Sequence, residues 1–160
     1  MTENDGKTAL LLLGCPQVPV QTSMALYLAY GLKEHGIRPV IAGTTAARRL
    51  METADPGRYY LDEMADLDDA IDAIMEKKRD FDLCFVFIHN DSGIAYAGTM
   101  AYISKARVYA LIFGEHAEEL AEEIEFPPCE IVAAKAVHNP PMPLKRRLEE
   151  VMQWAAVSKR

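Results

Sequence analysis

The chain has 160 residues, with 17 Lys and Arg against 24 Asp and Glu, a formal net charge of -7. Half of the residues are hydrophobic and 26% are charged, a globular composition that excludes a disordered, collagenous or coiled-coil chain. The acidic balance lacks the electrostatic footprint of a general nucleic-acid binder.

The expected organisation is a tail over 1–7 and a single α/β domain over 8–160. That matches a prior of roughly 100–200 residues per domain. Three cysteines, Cys15, Cys84 and Cys129, are widely spaced and form no CxxC pair. Neither a zinc ribbon nor a dithiol redox motif is present, and reduced thiols in a cytosol are the simplest reading. The start MTENDGK is acidic and polar, unlike a signal peptide. The apolar run Ala9–Leu13 is far shorter than the roughly 20 residues a membrane helix needs. The expectation is a soluble cytoplasmic protein with no membrane partner.

Thr8–Gly14 is a continuous apolar run, as in a strand covered on both faces. Cys15–Gln21 holds two prolines and cannot be helix interior. Thr22 or Ser23 then caps a helix running to about His35, with Gly36 as its stop. Pro39–Ala42 reads as a short strand and Ala46–Thr53 as a helix ended by Asp55-Pro56-Gly57. Tyr59–Leu61 reads as a short edge strand. Asp66–Lys78 is amphipathic, with Leu67, Ile71, Ile74 and Met75 on one face.

Leu83–Ile88 is a second strongly apolar strand, with His89-Asn90-Asp91-Ser92-Gly93 as its exit loop. A helix follows over Ile94–Ser104. Arg107–Phe113 is a third apolar strand. A short acidic helix covers Ala117–Ile124, a strand covers Glu130–Val137, and a last helix covers Leu144–Val157. This alternation predicts a three-layer α/β/α sandwich around a mostly parallel sheet of about five or six strands. Right-handed crossovers put all strand C-terminal ends on one edge, where ligands of open sheets bind.

That edge gathers the candidate residues. The first exit carries Cys15, Gln17, Gln21 and Thr22, the second Thr44 and Thr45, the third His89, Asn90, Asp91 and Ser92, the next Glu115 and His116, and the last His138 and Asn139. Cys15, His89 and His138 are the candidate catalytic groups and also a candidate metal set, since Cys/His ligands suit zinc, iron or nickel. Gln17, Gln21, Thr22, Thr44, Asn90, Asp91 and Asn139 are the candidate cofactor- or ligand-binding residues. Against this stands the ordinary tendency of loops to collect polar residues. Cys15 itself reads as an inert small hydrophobe, as a thiolate activated by a helix N-terminus, or as a soft metal ligand. GxGxxG and GxxxxGK[ST] are both absent, and Pro16 and Pro19 remove two amide donors from the first loop. A standard nucleotide loop is therefore disfavoured, leaving an unusual anion site with Thr22 and Ser23 as donors. Lys145-Arg146-Arg147 opens the last helix near the same edge, where surface charge is usually just that.

The segments LGCPQVPVQ at 13–21, Arg48-Arg49-Leu50, Ala54-Asp55-Pro56, Asp62-Glu63-Met64, Asn90-Asp91 and His138-Asn139-Pro140 together resemble a small family of conserved hypothetical proteins from methanogenic archaea, classed as a domain of unknown function. The resemblance covers nearly the whole chain. It implies a three-layer α/β/α domain, a homo-oligomer and a link to methanogen cofactor metabolism, and it supplies no established activity or catalytic residue. A looser similarity is to sulfur-relay proteins of the DsrE type, through Leu28-Ala29-Tyr30 to Gly36 and Val40-Ile41. In that family the sulfur-carrying cysteine lies on a later loop, whereas Cys84 sits inside a strand here, so only Cys15 could serve.

The leading functional expectation is a small-molecule, cofactor or metal-binding protein with its site at the C-terminal edge of the sheet. The alternatives are a non-catalytic homo-oligomeric interaction subunit, with Tyr96, Met100 and Tyr102 at its interface, and sulfur transfer through Cys15. The cofactor, and whether the protein is an enzyme, stay open at this level.

Overall fold

A computed structural model describes residues 6–125, 129–138 and 142–157. Its elements alternate: β1 (Thr8–Leu13), α1 (Val20–Glu34), β2 (Arg38–Gly43), α2 (Thr45–Ala54), β3 (Glu63–Asp66), α3 (Leu67–Met75), β4 (Leu83–Ile88), α4 (Asp91–Ile103), β5 (Arg107–Ile112), α5 (Ala117–Glu122), β6 (Cys129–Ala133) and α6 (Met142–Val157). The six strands form one sheet in the order β3-β2-β1-β4-β5-β6, and every neighbouring pair is parallel.

The strand sequences explain this arrangement. A parallel sheet is covered by helices on both faces, so its central strands must be apolar on both sides. LLLL at 10–13 and LCFVFI at 83–88 satisfy that, and all ten residues are buried. Alternate residues then divide between two cores. Leu11, Leu13, Phe85, Phe87, Tyr109 and Leu111 pack with residues of α1, α2 and α6. Leu10, Leu12, Cys84, Val86, Ala110 and Ile112 pack with residues of α3, α4 and α5. This is a doubly wound sheet: successive strands are added outward in one direction from β1 to β3 and in the other from β4 to β6, with the switch between β1 and β4.

Several boundaries differ from the sequence expectation, each for a local reason. α1 begins at Val20, with Pro19 in the capping position. Thr22 and Ser23 therefore lie in its first turn and do not cap it. Ser23 Oγ instead donates back to the Val20 carbonyl at 3.1 Å, and the Val20 amide donates to the Val137 carbonyl at 2.9 Å. Tyr59–Leu61 is no strand. The buried carboxylate of Asp55 accepts the amides of Tyr59, Tyr60 and Leu61, each at 2.9 Å, which holds this segment as a loop. The edge strand is Glu63–Asp66 instead. Asp66 caps α3 by accepting the Asp68 and Asp69 amides. That helix ends at Met75, which is exposed and no part of the core. α4 starts three residues early, because the Asn90 side chain accepts the Gly93 amide and turns the expected loop into a cap. β6 stops at Ala133, short of the expected Val137.

Candidate functional site

The register of the sheet decides which exits meet. Leu13, the last residue of β1, lies between Gly43 of β2 and Phe87 of β4. The residues just beyond these three positions therefore become neighbours. They enclose a cavity of about 210 Å³ lined by Gly14, Cys15, Thr44, Phe87, His89, Asn90, Ser92, Gly93 and Tyr96. The cavity stands at the crevice between β1 and β4, the place where crossovers leave the sheet in opposite directions and loops part to admit a ligand.

Its walls are set by short-range hydrogen bonds. His89 Nε2 donates to the Cys15 carbonyl at 2.8 Å, and the Gln17 amide donates to that same oxygen at 2.9 Å. A carbonyl can only accept, so the neutral imidazole carries its proton on Nε2 and presents Nδ1 as an acceptor. The ring leans on Phe113, with centroids 5.5 Å apart. Thr44 Oγ1 accepts the Ala47 amide and caps α2. Asn90 Oδ1 accepts the Gly93 amide and caps α4. Both helices thus aim their positive N-terminal ends towards this region. Gly93 admits no side chain, since a Cβ there would stand 2.9 Å from Ile88 Cα. α4 consequently begins in direct contact with the end of its own strand. Ser92 and Tyr96, four residues apart on its first two turns, share the face that lines the cavity.

Of the sequence candidates, Cys15, Thr44, His89 and Asn90 line this cavity. Gln21 stands behind it, fully buried, with its Nε2 donating to the Gly14 carbonyl at 3.1 Å. Its Oε1 is buried with no donor among the described residues. Gln21 therefore braces the cavity wall and does not touch its interior. Gln17, Thr22 and Asp91 are not in the lining. Asn139 falls outside the described residues.

His138 is exposed and does not line the cavity either. The segment after β6 folds back over the edge, through the Gly114–Ala136 bridge and the Val137 carbonyl bonded to Val20, and leaves His138 beyond it. Among the described residues no group of three or more His, Cys, Asp or Glu side chains is placed to hold a metal ion. Cys15, His89 and His138 are thus not assembled as a metal set. The expected interface trio also divides: Met100 is fully buried, Tyr102 is 78% exposed, and Tyr96 lines the cavity.

Sequence reasoning left out Gly14, Phe87, Gly93 and Tyr96 as site residues, and it gathered Ser92 at the edge without giving it a role. The signal for Tyr96 was present. Once Asn90 is taken as a cap, Ser92 and Tyr96 fall at helical spacing on one face. Placing the helix start at Ile94 hid that spacing.

Fold and cavity define a doubly wound α/β protein with an open crevice at its switch point. Within that class, the chain belongs to the family described as Domain of unknown function (DUF1890), which matches residues 10–151. It is 32% identical over 146 residues to "Uncharacterized protein MJ0452" of Methanocaldococcus jannaschii, covering 91% of this chain and 97% of that protein. It also resembles the solved structure of MT0777, at 39% identity and a TM-score of 0.84, over 92% of this chain and 97% of that one. Among the described residues no helix is long and apolar enough to cross a membrane.

Proposed function

We propose that this protein binds a small, lightly charged organic molecule, or one ring-sized group of a larger one, in the crevice between β1 and β4. The observation that carries this reading is the coincidence of the cavity with the switch point of the sheet. The volume of about 210 Å³ lies below the roughly 300–1,000 Å³ of drug-sized sites, which limits the occupant. The lining holds no Lys, Arg, Asp or Glu. Hard divalent cations want carboxylate oxygens, and polyphosphates want Lys or Arg, so neither class matches. What the walls offer is hydroxyls at Thr44, Ser92 and Tyr96, the imidazole of His89, the thiol of Cys15, and aromatic surface at Phe87 and Tyr96. Such a set suits a polar, flat ligand held by a few directed hydrogen bonds.

The test is an amide-resolved NMR screen of small polar heterocycles, run on the wild type and on Ser92→Phe, which fills the cavity from the exposed first turn of α4. Supporting compounds would shift the amides of residues 14–15, 44 and 89–96 and lose their effect in the variant. Compounds that shift these amides equally in Ser92→Phe, or none that shift them at all, would overturn the reading. Native mass spectrometry of protein purified without oxygen adds the mass of any molecule retained from the cell.

A further inference from the structure

Among the described residues, the two edges of the sheet are protected to different degrees. At one edge, β3 has four residues, two of them acidic. Glu63 is clamped by Arg79 and by Arg38, the latter at 3.0 Å. Charge and brevity of this kind are how natural sheets discourage edge pairing. At the other edge, β6 reads Cys-Glu-Ile-Val-Ala. It has no Pro, Gly or Lys, and its one charged side chain, Glu130, is drawn back to Arg107 at 3.4 Å. Ile131 in its centre is 39% exposed.

The direction of the β6 backbone groups follows from one bond. The Ala134 amide donates inward to the Ile112 carbonyl at 3.0 Å. Successive residues of a strand point their amide and carbonyl to alternate sides. Val132 and Glu130 therefore face β5, and Cys129, Ile131 and Ala133 face outward. The weak contact of Arg147 Nη2 with the Ile131 carbonyl, at 3.5 Å, confirms the outward direction at Ile131. An outward set spaced symmetrically about Ile131 is self-complementary under a two-fold axis. In an antiparallel pair, Ile131 of one copy exchanges both backbone bonds with Ile131 of the other, and Cys129 pairs with Ala133 on either side.

We propose that two copies of this chain join antiparallel through β6, centred on Ile131, to make one continuous twelve-stranded sheet. A groove of about 320 Å³ beside the strand, lined by Ile131, Val132, Arg147, Glu150 and Val151 among others, gives the second copy room to approach, and Arg147 releases the Ile131 carbonyl as the strands pair. This assembly is independent of the switch-point cavity, so either proposal can fail alone.

The experiment is sedimentation equilibrium of the wild type, Ile131→Lys and Ile131→Pro, with circular dichroism to verify folding. Lys adds charge at an exposed site, whereas Pro removes only an outward amide, a change edge strands tolerate. The wild type is expected at twice the 17.8 kDa chain mass. Both variants should be monomeric, with a dissociation constant raised at least about a hundredfold. Hydrogen exchange at Cys129, Ile131 and Ala133 should be slow in the wild type and fast in Ile131→Lys. A monomeric wild type at about 100 µM, well above the Kd of a stable complex, overturns the proposal. A dimer that persists in either folded variant, or fast exchange at these three amides in the wild type, does so too.

Discussion

His89 and Cys15 are joined side chain to main chain: the imidazole Nε2 donates to the Cys15 carbonyl at 2.8 Å. The bond ties the exit of β4 to the exit of β1, the two strands that flank the cavity. It also sets the tautomer of the ring, leaving Nδ1 as the acceptor.

His89→Ala removes that tie, and the Cys15 carbonyl keeps only the Gln17 amide. The expected cost is about 1 kcal/mol, the usual worth of such a bond, read by urea unfolding. Gln at position 89 carries an amide N–H of similar reach and should recover part of it. Alkylation of Cys15, already exposed, should speed up in His89→Ala, while buried Cys84 stays unreactive in the folded protein. Peptide mapping after a short maleimide pulse checks both. An unchanged Cys15 rate in His89→Ala would show that the bond does not order the loop.

Gly93 and Gly31 make a controlled pair. A Cβ at Gly93 meets Ile88 Cα at 2.9 Å, which is main chain and cannot step aside. One at Gly31 meets Met152 Sδ, closer still, but that is the mobile end of a flexible side chain that can rotate away. Gly93→Ala should therefore destabilise by about 2–3 kcal/mol, towards the upper part of the overpacking range. Gly31→Ala should cost less, about 1 kcal/mol, despite its shorter contact. Denaturant midpoints of the two variants decide, and the reverse order would refute this reading of the two contacts.

Asp55 gives an acid-dependent prediction. Burial pushes its carboxyl pKa up, but the three backbone amides it accepts, helped by Lys33, outweigh that and hold it below its usual value. A carboxylate with a lowered folded pKa contributes stability above the unfolded value of about 3.9, lost as pH falls through the folded value. Asp55→Asn should cost about 1–3 kcal/mol at pH 7, the range for a buried group that loses its partner. The gap between wild type and variant should narrow below about pH 4. Unfolding curves at pH 7 and pH 3 provide the comparison. A gap that widens in acid would contradict the assignment.

Tyr27 predicts the opposite sign at the alkaline end. Its hydroxyl donates to Glu149 at 2.6 Å, linking α1 to α6. That bond, with burial and the Glu149 charge, pushes its pKa up to about 12. A raised phenol pKa stabilises the fold below the unfolded value of about 10, and the contribution disappears as pH rises towards 12. Tyr27 is partly exposed, so Tyr27→Phe should cost no more than about 1 kcal/mol at pH 7. That difference should be lost near pH 12, as seen in ultraviolet-monitored titration with parallel unfolding.

The sequence by itself determined the class of this protein. Apolar runs at Leu10–Leu13 and Leu83–Ile88, separated by amphipathic segments, demand strands covered on both faces, and hence a parallel sheet between helix layers. It also marked the edge on which Cys15, Thr44, His89 and Asn90 stand, because every strand of such a sheet ends on the same side. Strand order was not legible, since it depends on which apolar faces pair across the whole chain and not on any local period. Only the tertiary structure put Leu13 between Gly43 and Phe87, and so made neighbours of Cys15, Thr44 and His89. The same packing sent β6 to the far edge and left His138 outside the cavity. One capping bond, Asn90 to Gly93, moved the start of α4 and brought Ser92 and Tyr96 to the crevice. Periodicity reports burial along a segment, whereas a site depends on contacts between segments far apart in the chain.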